Sequence, residues 1–183
     1  MRPRVILDKE QFEFTIERLC HQLIEAHGDF SNTALIGVQP RGVFLSDRIV
    51  ERLQNISPKN KGFYGKLDIT FYRDDFRRRD SLATASQTTI DFSIEGKKVV
   101  LIDDVLFTGR TIRSAMDALL DFGRPDHVEL LTLIDRRLSR DVPIQADYIG
   151  KKIDSIESER VKVEWKDDST EDRVWILRTD KKD

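Results

Sequence analysis

Apolar residues at positions 12, 16, 19, 20, 23 and 24 recur every three or four residues, which predicts a helix over 9–27 ending near Gly28. Asp8, with Gln11 three residues on, forms the capping-box pattern at its start. The pattern then changes period. TALIGVQ at 33–39 is a short apolar run, read as a buried strand, and Pro40-Arg41-Gly42 turns into a second helix carrying Val43, Leu45, Ile49, Val50 and Leu53. After the polar turn SPKNKG, Leu67, Ile69 and Phe71 alternate with polar residues in KLDITFY, as in a strand. From 76 to 89 no period is visible, and a stretch of that length is either disordered or a functional lid. Lys98–Asp103 reads as a third strand. The helix predicted over 111–122 places Ile112, Ala115, Met116, Leu119 and Leu120 on one face and stops at Gly123-Arg-Pro125. HVELLTLID at 127–135 is a fourth strand and ADYIG a short fifth; VKVEW and RVWIL form a terminal hairpin around KDDSTED. Strands alternating with helices predict an α/β fold, a mainly parallel sheet with helices on both faces, whose ligands bind beyond the carboxyl ends of the strands.

Composition narrows the picture. A chain of 183 residues fits one α/β domain, which buries on the order of 70% of its unfolded surface. The charged fraction is 35% but the net charge is only -2, so any anion site has to be local rather than a property of the whole surface. Cys20 is the single cysteine, which excludes an internal disulfide framework and fits a reducing cytosol. It falls on the apolar side of the first helix, a core position. His21, His27 and His127 show no zinc-site spacing, and no metal held directly by the protein is expected. The opening MRPRVILDKEQ lacks the apolar centre of a signal peptide, and no apolar run approaches the ~20 residues needed to span a bilayer, so a cytoplasmic location is expected.

The chemistry concentrates in VVLIDDVLFTGRT at 99–111. Aliphatic residues run into Asp103 and Asp104, and Thr108-Gly109-Arg110-Thr111 follows at the start of a helix. Backbone N–H groups and the positive helix end make that turn an anion cradle, with two threonine hydroxyls as further donors. Two carboxylates beside it would repel a bare phosphate; they suit a ligand that carries hydroxyls or a cation next to its phosphate. A ribose 5-phosphate meets both demands. The pattern of aliphatic strand, two acids, spacer and T-G-x-T resembles the phosphoribosyl pyrophosphate (PRPP) signature of the type I phosphoribosyltransferases.

VILD at 5–8, PRG at 40–42, DITFYRDD at 68–75, DDVLFTGRTIRSAMDALLDFGRP at 103–125 and PIQADYIGK at 143–151 together resemble one subfamily, the bifunctional pyrimidine-operon regulators and uracil phosphoribosyltransferases, PyrR. The resemblance implies the type I phosphoribosyltransferase fold over 1–183 as a single domain, with a small hood from the termini and about 135–150 and a C-terminal hairpin. It implies catalytic roles for Asp103, Asp104 and Arg73. Val105, Leu106, Phe107, Thr108, Gly109, Arg110 and Thr111 would take the ribose 5-phosphate part of PRPP, and Gln39, Pro40, Arg41 and Gly42 the pyrophosphate. Residues 76–89, with Arg77, Arg78 and Arg79, would form a mobile catalytic loop. Mg²⁺ would arrive on PRPP, and uracil, UMP or UTP would be the other small ligands. Where related purine enzymes place a carboxylate before T-G, this chain has Phe107, which disfavours a purine. The resemblance also implies a homodimer or higher homo-oligomer and a leader-mRNA hairpin as partner, for which Arg18, His21 and Arg137, with Arg136 and Arg140, are the candidate contacts. Glu17, Pro40 and Gln145 depart from the basic or hydroxyl residues of regulatory members. Three readings stay open: a uracil phosphoribosyltransferase, an RNA-binding regulator with residual catalysis, and a phosphoribosyltransferase for another base.

Overall fold

The computed structural model describes residues 3–74, 86–156, 158–167 and 169–178. The elements in chain order are β1 (Arg4–Leu7), α1 (Lys9–His27), β2 (Thr33–Val38), α2 (Gly42–Ile56), β3 (Phe63–Leu67), β4 (Lys98–Leu106), α3 (Arg110–Leu119), β5 (His127–Arg136), β6 (Tyr148–Ile153), β7 (Glu159–Glu164) and β8 (Arg173–Arg178). Five strands form a parallel sheet in the order β3-β2-β4-β5-β6. The other three, β1-β8-β7, form a small antiparallel sheet from the two ends of the chain, here called the hood, with the predicted hairpin as β7-β8; residues 135–150, expected in the hood with the termini, have no strand in it.

Helices cover both faces of the parallel sheet, which is why β2 and β4 read as unbroken aliphatic runs rather than alternating ones. On one face Phe12, Leu19 and Leu23 of α1 and Leu45, Ile49 and Leu53 of α2 pack against Leu35, Val100, Ile102, Leu131 and Leu133. Val163, Trp165, Val174 and Ile176 of the hood join the same cluster, so roof and main sheet share one core. Trp165 is the anchor, stacked 5.8 Å from Phe44 and edge-on to Phe12 at 5.6 Å. On the other face Ile112, Ala115 and Leu119 of α3 cover Ala34, Ile36, Val99 and Leu101. The α1 start is the predicted capping box: Asp8 accepts from the Gln11 N–H at 2.9 Å and Gln11 accepts from the Asp8 N–H. Cys20 is fully buried, and desolvation pushes its thiol up to about 12, which makes it an inert core residue.

Three expectations need correction. KLDITFY is strand only over Lys66 and Leu67: β3 starts at Phe63 and ends at Leu67, and Asp68 turns the chain by accepting from the N–H and hydroxyl of Thr70 at 2.9 and 2.6 Å. A 3₁₀ turn over Thr70–Tyr72 follows, leaving Ile69 buried and Phe71 exposed. Met116 and Leu120 do not share the buried face of α3; both are exposed, because the stripe that meets the sheet follows 112, 115, 118 and 119 and the last turn tightens to 3₁₀ geometry. The strand carrying the acids does not stop at Asp103 but runs three residues past the acid pair's first member, to Leu106. Residues 75–85, which hold most of the predicted mobile loop and all of Arg77–Arg79, lie outside the described residues. Among the described residues, no helix is long and apolar enough to cross a membrane.

Candidate active site

The sheet is stepped where the acids sit. β2 pairs with β4 only as far as Gly37–Ile102, while β4 continues along β5 to Leu106–Asp135. Asp103 and Asp104 therefore emerge just beyond the end of β2, at the carboxyl edge of the sheet, where the start of α2 crosses them. That crossing needs glycine: a Cβ on Gly42 would stand 2.5 Å from the Ile102 carbonyl oxygen and 3.1 Å from Asp103 Oδ1.

Both acids are only 7% exposed. Asp103 Oδ1 accepts from the Asp104 N–H at 2.9 Å, and Asp104 Oδ2 accepts from Arg41 Nε at 3.0 Å. Burial, with the neighbouring Asp104 charge second, pushes Asp103 up to about 8 against the opposing charges of Arg41 and Arg73. Burial also raises Asp104, less the pull of Arg41. A carboxyl pair held this way gains from any ligand that brings hydroxyl donors or a cation, since either relieves the cost of the second negative charge.

Beyond Leu106 the chain turns into α3 through Phe107, Thr108 and Gly109. Gly109 is the N-cap, at φ 87°, with no side-chain cap on the helix. A Cβ there would meet Val142 Cγ2 at 2.8 Å. Thr108 is tied below: its carbonyl accepts from the N–H groups of Asp141 and Val142 at 3.0 and 3.2 Å. Among the described residues the N–H groups of Thr108 and Gly109 have no acceptor. A cleft of about 760 Å³ opens over this loop, lined by Arg73, Asp74, Asp103, Val105, Leu106, Phe107, Thr108, Gly109, Arg110, Thr111 and Ile112. The structure thus brings Arg73, one acid and the whole predicted phosphate loop to one place.

The predicted pyrophosphate residues take different positions. The Gln39–Pro40 peptide is cis; Gln39 donates from its backbone to the Leu67 carbonyl at 2.9 Å and from its amide to the Gln87 carbonyl at 2.7 Å. Arg41 bridges to the hood, donating to the Val163 carbonyl at 2.6 Å as well as to Asp104. With Asp104, Arg160 and Lys162 it lines a second recess of about 360 Å³ beside the first. The Arg110 side chain is not an open cation in the cleft it lines: it pairs with Asp74 at 2.6 Å and Asp141 at 2.9 Å.

The cations assigned to RNA fare unequally. Arg136 and Arg140 are not surface residues. Arg136 is 5% exposed, donates to Ser155 Oγ at 2.7 Å and the carbonyls of Ile156 and Glu159 at 3.3 and 2.8 Å, and lies 3.9 Å from the centre of the Phe107 ring. Arg140 turns inward beneath the loop. Arg137 is exposed and forms a bidentate pair with Asp154 at 2.9 and 2.7 Å. Arg18 donates to the Gly150 and Ile149 carbonyls, and His21 lies 3.6 Å from Glu17, itself paired with Arg52. Sequence reasoning missed Arg136 and Arg140 as site residues; the signal was their place at the end of β5 and four residues past it, on the strand paired with the one that carries the acids. Tyr148, expected in core or hood, opens β6 two strands across from β4, level with Ile102, and its hydroxyl joins a partly buried cluster with His27, Thr33 and Glu129.

Comparison with known proteins agrees with this geometry. The phosphoribosyl transferase domain model matches residues 5–168. The "Bifunctional protein PyrR" of Elusimicrobium minutum is 41% identical over 174 residues, covering 95% of this chain and 96% of its own. That of Actinobacillus pleuropneumoniae is 46% identical over 162 residues, covering 87% and 88%. Among solved structures, the hypoxanthine phosphoribosyltransferase of Trypanosoma cruzi superposes with a TM-score of 0.70 over 97% of both chains at 17% identity. A hypoxanthine phosphoribosyltransferase of Staphylococcus aureus gives 0.65 over 84% and 80% at 23% identity. At these identities the two structures speak for the fold.

Proposed function

The chain belongs to the phosphoribosyl transferase family and within it to the PyrR group, and we propose that it transfers the phosphoribosyl group of PRPP to uracil, yielding UMP and pyrophosphate. One observation carries this reading: a loop of outward N–H groups and the buried carboxyl of Asp103 face the same cleft, with Asp104 next to it in the adjoining recess that Arg41 lines. In that cleft the 5-phosphate lies in residues 107–111 and the ribose 2- and 3-hydroxyls donate to Asp103 and Asp104. The acids fit a divalent cation that is held mainly by its substrate, since Mg²⁺ uses one or two carboxylates and keeps phosphate oxygens and water as its other ligands. When bound, Mg²⁺ supplies charge neutralisation on the pyrophosphate.

The bond from the anomeric carbon to the pyrophosphate oxygen breaks as the bond to uracil N1 forms, and N1 gives up its proton. Positive charge grows on the sugar ring beside Asp103 and Asp104, and negative charge on the leaving pyrophosphate within reach of Arg41 and Arg73. Charges placed for that separation stabilise the transition state more than the ground state. Arg41 has to exchange Asp104 and the Val163 carbonyl for phosphate oxygens, which leaves Asp104 to the ribose. The base is placed against Phe107, whose ring lines the cleft, is 36% exposed and is backed by the Arg136 guanidinium 3.9 Å from its centre. The RNA-binding reading has less support, because Arg18, His21 and Arg137 are already engaged within the chain.

The test is formation of UMP and pyrophosphate from PRPP, Mg²⁺ and uracil, run beside hypoxanthine, guanine and orotate. Turnover with uracil alone supports the proposal. Turnover with another base corrects the substrate, and none with any base, while a leader hairpin binds more tightly than unrelated RNA, favours the regulator.

A further inference from the structure

We propose that Arg140 is a positioning residue for phosphate binding, the group that holds the loop after β4 in its anion-receiving orientation. The inference rests on reading residues 107–111 as the 5-phosphate cradle. Three successive carbonyls of that loop are taken from below by one short segment. Arg140 Nη1 donates to the carbonyl of Leu106 at 3.2 Å and to that of Phe107; the N–H groups of Asp141 and Val142 donate to that of Thr108. In a planar trans peptide the carbonyl of one residue and the N–H of the next point in opposite directions. Drawing the carbonyls of 106, 107 and 108 down therefore turns the N–H groups of Phe107, Thr108 and Gly109 up, toward the cleft that all three residues line.

The guanidinium is itself fixed. Its Nε donates to the Ile144 carbonyl at 3.0 Å, Nη1 also to the Arg136 carbonyl at 3.0 Å, and Nη2 pairs with the Asp135 carboxylate. The side chain is 19% exposed. It thus joins the exit of β4, the end of β5 and the segment at 140–144 through one planar group. A lysine at this position has three donors on a single nitrogen and cannot span the same set of acceptors. The same segment supplies Val142, which fills the space a Cβ on Gly109 would need, and Asp141, which holds Arg110. Presetting donors for a charge that arrives later is where binding and catalysis gain most, because no reorganisation is left to make.

The experiment compares the wild-type chain with Arg140→Met and Arg140→Lys, titrating ribose 5-phosphate by calorimetry at a temperature where circular dichroism shows all three folded. The expected result is binding weakened at least about tenfold in Arg140→Met and by a smaller factor in Arg140→Lys. KM for PRPP should rise by a similar factor while kcat falls less than about threefold. A folded Arg140→Met that binds ribose 5-phosphate within twofold of wild type would overturn the assignment and leave Arg140 a purely structural residue. If Arg140→Met does not fold, unchanged affinity in Arg140→Lys overturns it equally. Wild-type protein that fails to bind ribose 5-phosphate at all would instead strike at the cradle itself, and the assignment would fall with it.

Discussion

The turn after β2 and the turn after β4 are built alike, a buried strand passing through three residues into a helix with no side-chain cap, yet they stand in opposite states. After β4 the carbonyls are tied down by Arg140, Asp141 and Val142, and the N–H groups of Thr108 and Gly109 are open toward the cleft. After β2 the polar groups are engaged: Gln39 with Leu67 and Gln87, Arg41 with Asp104 and Val163. One turn is set for its ligand in advance, and the other has to give up protein partners to meet one. Under the proposed function the difference fits separate tasks: the first turn would recognise a constant phosphate group and the second would respond to a leaving group.

The largest effect that sharpens this contrast is on the acids between the two turns. Asp103→Asn/Asp104→Asn is expected to lower kcat/KM with PRPP and uracil by at least about a thousandfold, a loss typical of electrostatic groups at the reacting centre. Steady-state rates of pyrophosphate release measure it; a loss below tenfold would break the proposed role. Next, Gly109→Ala should weaken ribose 5-phosphate binding on the order of a hundredfold, since the preset turn combines a left-handed backbone with a 2.8 Å approach of Val142. Arg41→Gln should behave differently, with kcat reduced about tenfold or more and ribose 5-phosphate affinity changed less than twofold. Equal losses of both ligands in the two variants would erase the division of labour.

A smaller effect is on stability. Asp103 is raised in the folded state, so folding takes up protons as pH climbs past the ordinary carboxylate range, and stability is lost between about pH 4 and 8. Asp103→Asn lacks that loss and should melt higher than wild type by a margin that grows from pH 5 to pH 8, read by thermal denaturation without ligand. The smallest effect lies outside both turns. Desolvation lowers His27, which is held neutral among Tyr148, Thr33 and Glu129; its contribution is present above about pH 6.5 and lost as pH falls below that value. His27→Gln should flatten the fall in Tm between pH 7 and pH 5.

Much of the scaffold was legible because local and global preferences agree in it. The spacing in α1, its capping box and the aliphatic run of β4 each have one solution once a core must form. KLDITFY misled because its alternation is real, yet a single Asp68 side chain offers the backbone a turn that outweighs it. Met116 and Leu120 misled because helical spacing gives a face but not its width, which the partner sheet decides. At the site, Asp103, Asp104 and the T-G-R-T turn were visible as a contiguous motif. Arg136 and Arg140 were not. In RRLSR four positively charged or polar neighbours read as a solvated cluster, and nothing local says that the first and last arginines turn inward while Arg137 pairs outside with Asp154. Their acceptors belong to β4 and the turn after it, to β5, to Ile144 before β6 and to the chain beyond β6, and meet only in the folded molecule.

The hood has a consequence for the order in which the molecule is completed. Its middle strand is β8, so β1 and β7 have no hydrogen-bonded contact with each other and both depend on residues 173–178. During synthesis the five parallel strands and their helices are available well before that segment leaves the ribosome, while β1 waits through the whole intervening chain for its partner. Long-range pairing of this kind closes late, because loop closure has to precede the contacts that reward it. A chain stopped before Arg173 would carry an intact turn after β4 under an unfinished roof. Val163, whose carbonyl steadies Arg41, would then lie on a strand without a neighbour.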